Sequence, residues 1–158
     1  MYGDLLDSLE KDIDGLDINK YNIFYRIMDD IINLNNINRC NNSSLCILPL
    51  EEYLKEYCTI KFNIGRQIGK TEYIKRKAKE NDVIIILNNA MRNYFRNVNS
   101  DLFTINQFLN EKFDKRYDSI WFDNFSFCSR YISKREYIEE VLYIKFAKDR
   151  KQTFILLG

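Results

Sequence analysis

Histidine is missing from this 158-residue chain, and proline occurs once. Without an imidazole, Ser-His and Cys-His nucleophile chemistry is excluded. The four cysteines, Cys40, Cys46, Cys58 and Cys128, form no C-x-x-C pair. A zinc site would have to draw on four thiolates at irregular spacing, so reduced thiols, some of them buried, are the better reading. No long uncharged apolar run is present, and the N-terminus carries Asp4, Asp7, Glu10, Asp12 and Asp14 where a secretory signal would carry cations. The expectation is a cytoplasmic protein with no membrane segment. With 24 basic and 23 acidic residues, net charge is +1, so no global basic field points to nucleic acid. Internal repeats are absent too.

What is present is ordinary for a globular domain: 46% apolar and 30% charged residues, in a length that buries a proper core. Asn, Ile, Lys and Tyr are abundant, the composition an AT-rich genome such as a phage's would give. Residues 1–18 are acidic and turn-like, a short helix or an arm. Over 19–35 the residues Phe24, Ile27, Met28, Ile31 and Ile32 recur at helical spacing. Residues 35–44 read as an Asn-rich loop, and a shorter helix runs from 49 or 50 to about 57.

Beyond residue 58 strand and helix signals alternate. Strands are expected over Thr59-Ile60-Lys61-Phe62-Asn63, Asp82-Val83-Ile84-Ile85-Ile86-Leu87, Ser119-Ile120-Trp121-Phe122 and Thr153-Phe154-Ile155-Leu156-Leu157. Helices are expected over 72–80, 89–98 and 134–148, the last with a stripe of Tyr137, Ile138, Val141 and Leu142; a short apolar piece at 102–105 leads into a helix through 113. This alternation predicts an α/β fold, a P-loop NTPase-like, mainly parallel sheet of four or five strands with helices on both faces. The chain divides into a helical N-terminal extension, 1–57, and a nucleotide-binding core, 58–158, within one domain.

The most informative stretch is Ile64-Gly65-Arg66-Gln67-Ile68-Gly69-Lys70-Thr71, set between a strand and a helix. It reads as a phosphate-binding loop. Backbone N–H groups of Gly65, Gln67, Ile68 and Gly69, with a helix N-terminus behind them, suit a triphosphate. Lys70 would reach the β- and γ-phosphates of ATP, and the Thr71 hydroxyl would ligate Mg²⁺. The general pattern wants Gly where Ile64 stands, and Gly65 follows at once. Asp123, ending an apolar strand, is the second metal-side residue, although a strand-end aspartate is most often a turn or a cap. Arg66 could fold over the γ-phosphate as an arginine finger acting in cis. Asn124 stands where a water-activating carboxylate would be useful; its amide can orient water but cannot take its proton. Asp118, Glu72 and Asp101 are alternative carboxylates for that role.

Arg66-Gln67-Ile68-Gly69-Lys70-Thr71 resembles the R-Q-x-G-K-[ST] loop of the large terminase subunits, the ATPases that package DNA into phage heads. In that family the first loop glycine is often replaced and the loop arginine is taken as the cis finger. Asp123-Asn124-Phe125-Ser126-Phe127 is similar to the family's Asp-Glu-x-[AS]-Phe segment, with Asn for Glu, and Thr153 onward resembles the strand leading to the coupling motif. The resemblance covers about residues 58–158 and implies an Mg²⁺-dependent ATPase of phage or viral DNA metabolism or packaging. DNA and a phage or viral protein would be its partners, an oligomer is possible, and the host cytoplasm would be its compartment. The family's nuclease domain, with its clustered acidic residues, has no counterpart here. A small stand-alone relative, a degenerate paralogue acting as a non-enzymatic binding or regulatory partner, and a truncated piece are therefore open readings. Superfamily-type helicases share the architecture.

Two basic faces, Lys75, Arg76, Lys77 and Lys79, and Lys145, Lys148, Arg150 and Lys151, could meet phosphate backbones, although most such faces are simply solvated. Tyr94, Phe95 and Arg96 could stack on a base. The N-terminal amphipathic helix would cover the sheet or, alternatively, hold a partner.

Overall fold

The computed structural model describes residues 20–41, 47–63, 69–126 and 135–158. Runs such as Val83-Ile84-Ile85-Ile86 are apolar on both sides of the pleat, so each needs cover on both faces. Three such runs and two half-buried edge strands form one sheet: β1 (Thr59–Phe62), β2 (Val83–Ile86), β3 (Asp101–Thr104), β4 (Ser119–Asp123) and β5 (Thr153–Leu157), with β1 and β3 at the edges. Every pairing is parallel, and the order across the sheet is β1-β5-β4-β2-β3. The fold is therefore α/β, as its alternating pattern predicts, with a fully parallel sheet.

Side-chain alternation feeds two cores. On one face Ile60, Ile84, Ile86, Trp121, Ile155 and Leu157 pack against Phe24 and Met28 of α1 (Lys20–Asn41) and Tyr73 and Ile74 of α3 (Lys70–Lys77). On the other, Val83, Ile85, Ile120, Phe122, Phe154 and Leu156 meet α2 (Leu50–Tyr57), α4 (Ile105–Asn110) and α5 (Arg135–Phe146). The two N-terminal helices thus lie on opposite faces, and both contribute buried residues to the core.

Several boundaries differ from expectation. The apolar piece at 102–105 is a true strand, β3, so two strands rather than one separate the loop from β4 in sequence. Helix α4 starts at a capping box in which Thr104 and Gln107 satisfy each other's backbone N–H, and it ends at Asn110 rather than near 113. Residues 89–98 contain a 3₁₀ helix, Asn89–Phe95, in place of an α-helix. In α1 only part of the expected stripe is buried: Ile27 is 40% exposed and joins Ile23, Leu34 and Ile37 on an outward apolar line. Tyr137 on α5 is half exposed because Ile138, Leu142 and Phe146 take the inner face.

At the amino end of the strands, buried Asp82 accepts from Ser119 N and Trp121 Nε1, and buried Gln152 bonds four backbone groups. Those contacts lock one edge of the sheet. The opposite, carboxyl edge is where ligands of open α/β sheets bind. No helix among the described residues is long and apolar enough to cross a membrane.

Candidate functional site

At the carboxyl edge three strands converge. β5 lies between β1, which leads into the phosphate-loop motif, and β4, which ends in Asp123. Gly69 caps α3 with φ 85°, a left-handed conformation that costs a side-chain-bearing residue about 1 kcal/mol or more and costs glycine little. That turn starts the helix at Lys70, bringing Lys70 and Thr71 over the ends of β5 and β4.

The side chains engage one another across β5. Thr71 Oγ1 donates to Asp123 Oδ2 at 2.9 Å, and Lys70 Nζ donates to the Gly158 carbonyl. Gly158 N in turn donates to the Phe62 carbonyl at 2.9 Å, tying the end of β5 to the strand that precedes the loop. A Cβ on Gly158 would overlap Ser126 Oγ and approach Asn63, so a larger residue there would require the Ser126 hydroxyl to turn aside. The acceptor role of Gly158 has no sequence signal beyond its being a glycine at a strand end.

Asp123 is 1% exposed, and among the described residues its Oδ1 has no hydrogen-bond partner. Burial pushes its carboxyl above the ordinary range, while the Thr71 hydroxyl, the Lys70 charge and the Asn124 N–H act in the opposite direction. A buried carboxylate with one oxygen unfilled is costly unless something occupies that oxygen when the site works. The carboxylate and the hydroxyl suit Mg²⁺, which keeps several waters and takes few protein oxygens alongside substrate phosphates, and the Lys70 ammonium suits the phosphates themselves. Among the described residues no group of three or more Cys, Asp or Glu gathers to hold a metal by itself.

Asn124 follows at φ 57°, a left-handed residue at the turn out of β4. Asn tolerates that region better than Glu does, which gives its presence a conformational reason besides any role with water.

Ile64, Gly65, Arg66, Gln67 and Ile68 lie outside the described residues, so the finger assigned to Arg66 and the loop contacts assigned to Gly65, Gln67 and Ile68 have no position here. The alternative carboxylates do not gather at the site. Asp101 opens β3 and Asp118 precedes β4, both at the amino edge, with Asp118 roughly 16 Å along the strand from Asp123. They are held there by Lys115 and Tyr117, and by Arg116. Glu72 is on α3 but is engaged by Lys75 and Arg76.

Comparison of the chain with protein-family models, with curated proteins and with solved structures finds no match. The geometry therefore stands alone.

Two features that sequence reasoning missed support the site from behind. Tyr73, one turn into α3, is fully buried and donates to Asp29 of α1 at 2.7 Å, and Lys77 pairs with the same carboxylate at 2.8 Å. Phe24 packs its ring at 5.5 Å from Tyr73 and 5.8 Å from Phe62, bridging the strand before the loop and the helix after it. The basic face on α3 is largely neutralised by these pairs, and Lys145 on α5 donates to the Leu109 and Glu111 carbonyls. Phe95 is buried and cannot stack on a base, whereas Tyr94 is 61% exposed.

Proposed function

We propose that this chain is an Mg²⁺-dependent ATP-binding protein of the P-loop class, a terminase- or helicase-like ATPase acting on DNA in phage or viral metabolism or packaging. The observation that carries the reading is the meeting of Lys70, Thr71 and a buried, half-satisfied Asp123 at the carboxyl ends of parallel strands. In this reading Lys70 leaves the Gly158 oxygen to neutralise phosphate oxygens. Thr71, whose hydroxyl donates to Asp123, and Asp123 would hold Mg²⁺ between them. Mg²⁺, when bound, offsets charge on the β- and γ-phosphates. Arg66 stabilises the charge that develops on the transferred group, and Asn124 orients the attacking water without taking its proton.

The test is calorimetric titration of MgATP into the wild type and Lys70→Ala, with phosphate release followed in the same samples. Wild-type binding that vanishes in the variant is the expected result. Equal affinity in both proteins sinks the proposal. The left-handed Asn124 in place of a carboxylate favours a second reading, a nucleotide-binding partner that does not hydrolyse. Tight binding without turnover would select it.

A further inference from the structure

The segment leaving β2, residues 88–99, starts at the same carboxyl edge as the candidate site and returns to the amino end of β3. The register that pairs Ile85 with Phe122 brings the end of β2 level with Asp123, so the segment begins beside it. Its sequence, Asn88-Asn89-Ala90-Met91-Arg92-Asn93-Tyr94-Phe95-Arg96-Asn97-Val98-Asn99, holds five Asn and two Arg but no acidic residue, in a chain that has 23 of them.

Its hydrogen bonds orient it. Asn88 Oδ1 accepts from Met91 N at 3.3 Å, Asn89 Oδ1 from Arg92 Nε at 3.0 Å, and Asn93 Oδ1 from Arg96 Nη2 at 2.9 Å. With the three carbonyl oxygens engaged locally, the exposed amide NH₂ groups are left as donors. The ridge is also rigid. Phe95 is buried, and Arg92 is fastened to the Leu102 carbonyl at 3.2 Å and to Gln107 Oε1 at 2.6 Å. What faces solvent is a row of donors, the Arg96 guanidinium and the Tyr94 ring, with no carboxylate to repel an anion.

We infer that residues 88–99 form a binding ridge for single-stranded nucleic acid. Amide and guanidinium donors suit phosphate oxygens, and an exposed phenol ring suits the face of an unpaired base. A duplex keeps its bases stacked on one another and offers Tyr94 nothing, and the ridge has too few free cations to hold a duplex by charge alone. The ridge deepens the proposed function by naming the surface that meets the polymer, yet its chemistry needs no bound nucleotide.

The experiment is fluorescence anisotropy with labelled dT12, rU12 and a 12-base-pair duplex on the full chain, wild type, Tyr94→Ala and Arg96→Ala. Both side chains are exposed, so the variants should melt with the wild type. Expected is binding of a single strand in preference to the duplex, weakened about tenfold or more by Tyr94→Ala. Arg96→Ala should reduce the slope of log K against log salt by about 0.7, one phosphate's worth. The tighter of the DNA and RNA strands names the natural polymer. Wild type that binds neither strand, or variants that bind both as the wild type does, overturns the inference, as does equal binding of the duplex. MgATP titration of the same samples separates the two proposals. Strand binding without MgATP binding supports the ridge and rejects the nucleotide reading, and the reverse rejects the ridge alone.

Discussion

At Asn124 two demands meet on one residue, a turn that needs positive φ and a position where hydrolysis would use a carboxylate. Replacing it by Glu should lower stability by about 1 kcal/mol, because Glu enters the left-handed region less readily. The same substitution should raise ATP turnover. Thermal melting and phosphate release on Asn124→Glu check both, and turnover no faster than wild type would show that the missing carboxylate is not limiting. Asp123 makes a contrasting prediction. Asp123→Asn removes a buried charge whose Oδ1 has no partner among the described residues, so the free protein should melt a few degrees higher while Mg²⁺-dependent nucleotide binding is lost. A lower melting temperature would mean that the charge is better compensated than its contacts indicate. At this scale the meeting of Thr71 with Asp123 was legible, because a Gly-Lys-Thr run after a strand and an apolar strand ending in Asp are local patterns. Gly158 was not, since its role depends on β5 lying between the other two strands.

Among the elements, α1 links sequence far from the loop to the loop's own helix. Phe24 is 2% exposed and lies against both Phe62 and Tyr73, so Phe24→Ala should cost about 3–5 kcal/mol and also weaken nucleotide binding by freeing α3. Urea unfolding and MgATP titration on one preparation measure the two effects. A destabilised variant with wild-type affinity would show that α1 supports the fold without bracing the site. Strong periodicity made α1 and α5 legible, yet which apolar residues turn inward was not. Ile27 and Tyr137 sit on stripes that reach beyond the buried face, and only packing decides where that face ends. Strand β3, short and half-buried, has no pattern of its own and exists because β2 offers an edge to pair with.

Over the whole molecule, charge pairs distribute the response to acid. The bond from Lys75 holds Glu72 below its ordinary range, as Lys115 does for Asp101 and Arg116 for Asp149. Burial pushes Asp29 up, but its bonds from Lys77 and Tyr73 outweigh that and leave it low. Carboxylates depressed in the folded state contribute stability above their unfolded values and lose it as pH falls through the folded ones. Melting temperature should therefore decline below about pH 4. Asp123, shifted upward, works in the opposite sense, so the decline should be steeper in Asp123→Asn. A melting temperature constant between about pH 6 and pH 3 would contradict this balance. The sequence by itself determined the class, a parallel α/β sheet, because apolar runs on both sides of the pleat alternating with helices have few ways to bury themselves. It also determined which residue types could meet a phosphate. Only the tertiary structure decided that β5 separates β1 from the strand ending in Asp123, that Asp101 and Asp118 lie at the amino edge, and that the segment after β2 starts level with Asp123. Strand order and edge are set by long-range packing, which local spacing in the chain does not encode.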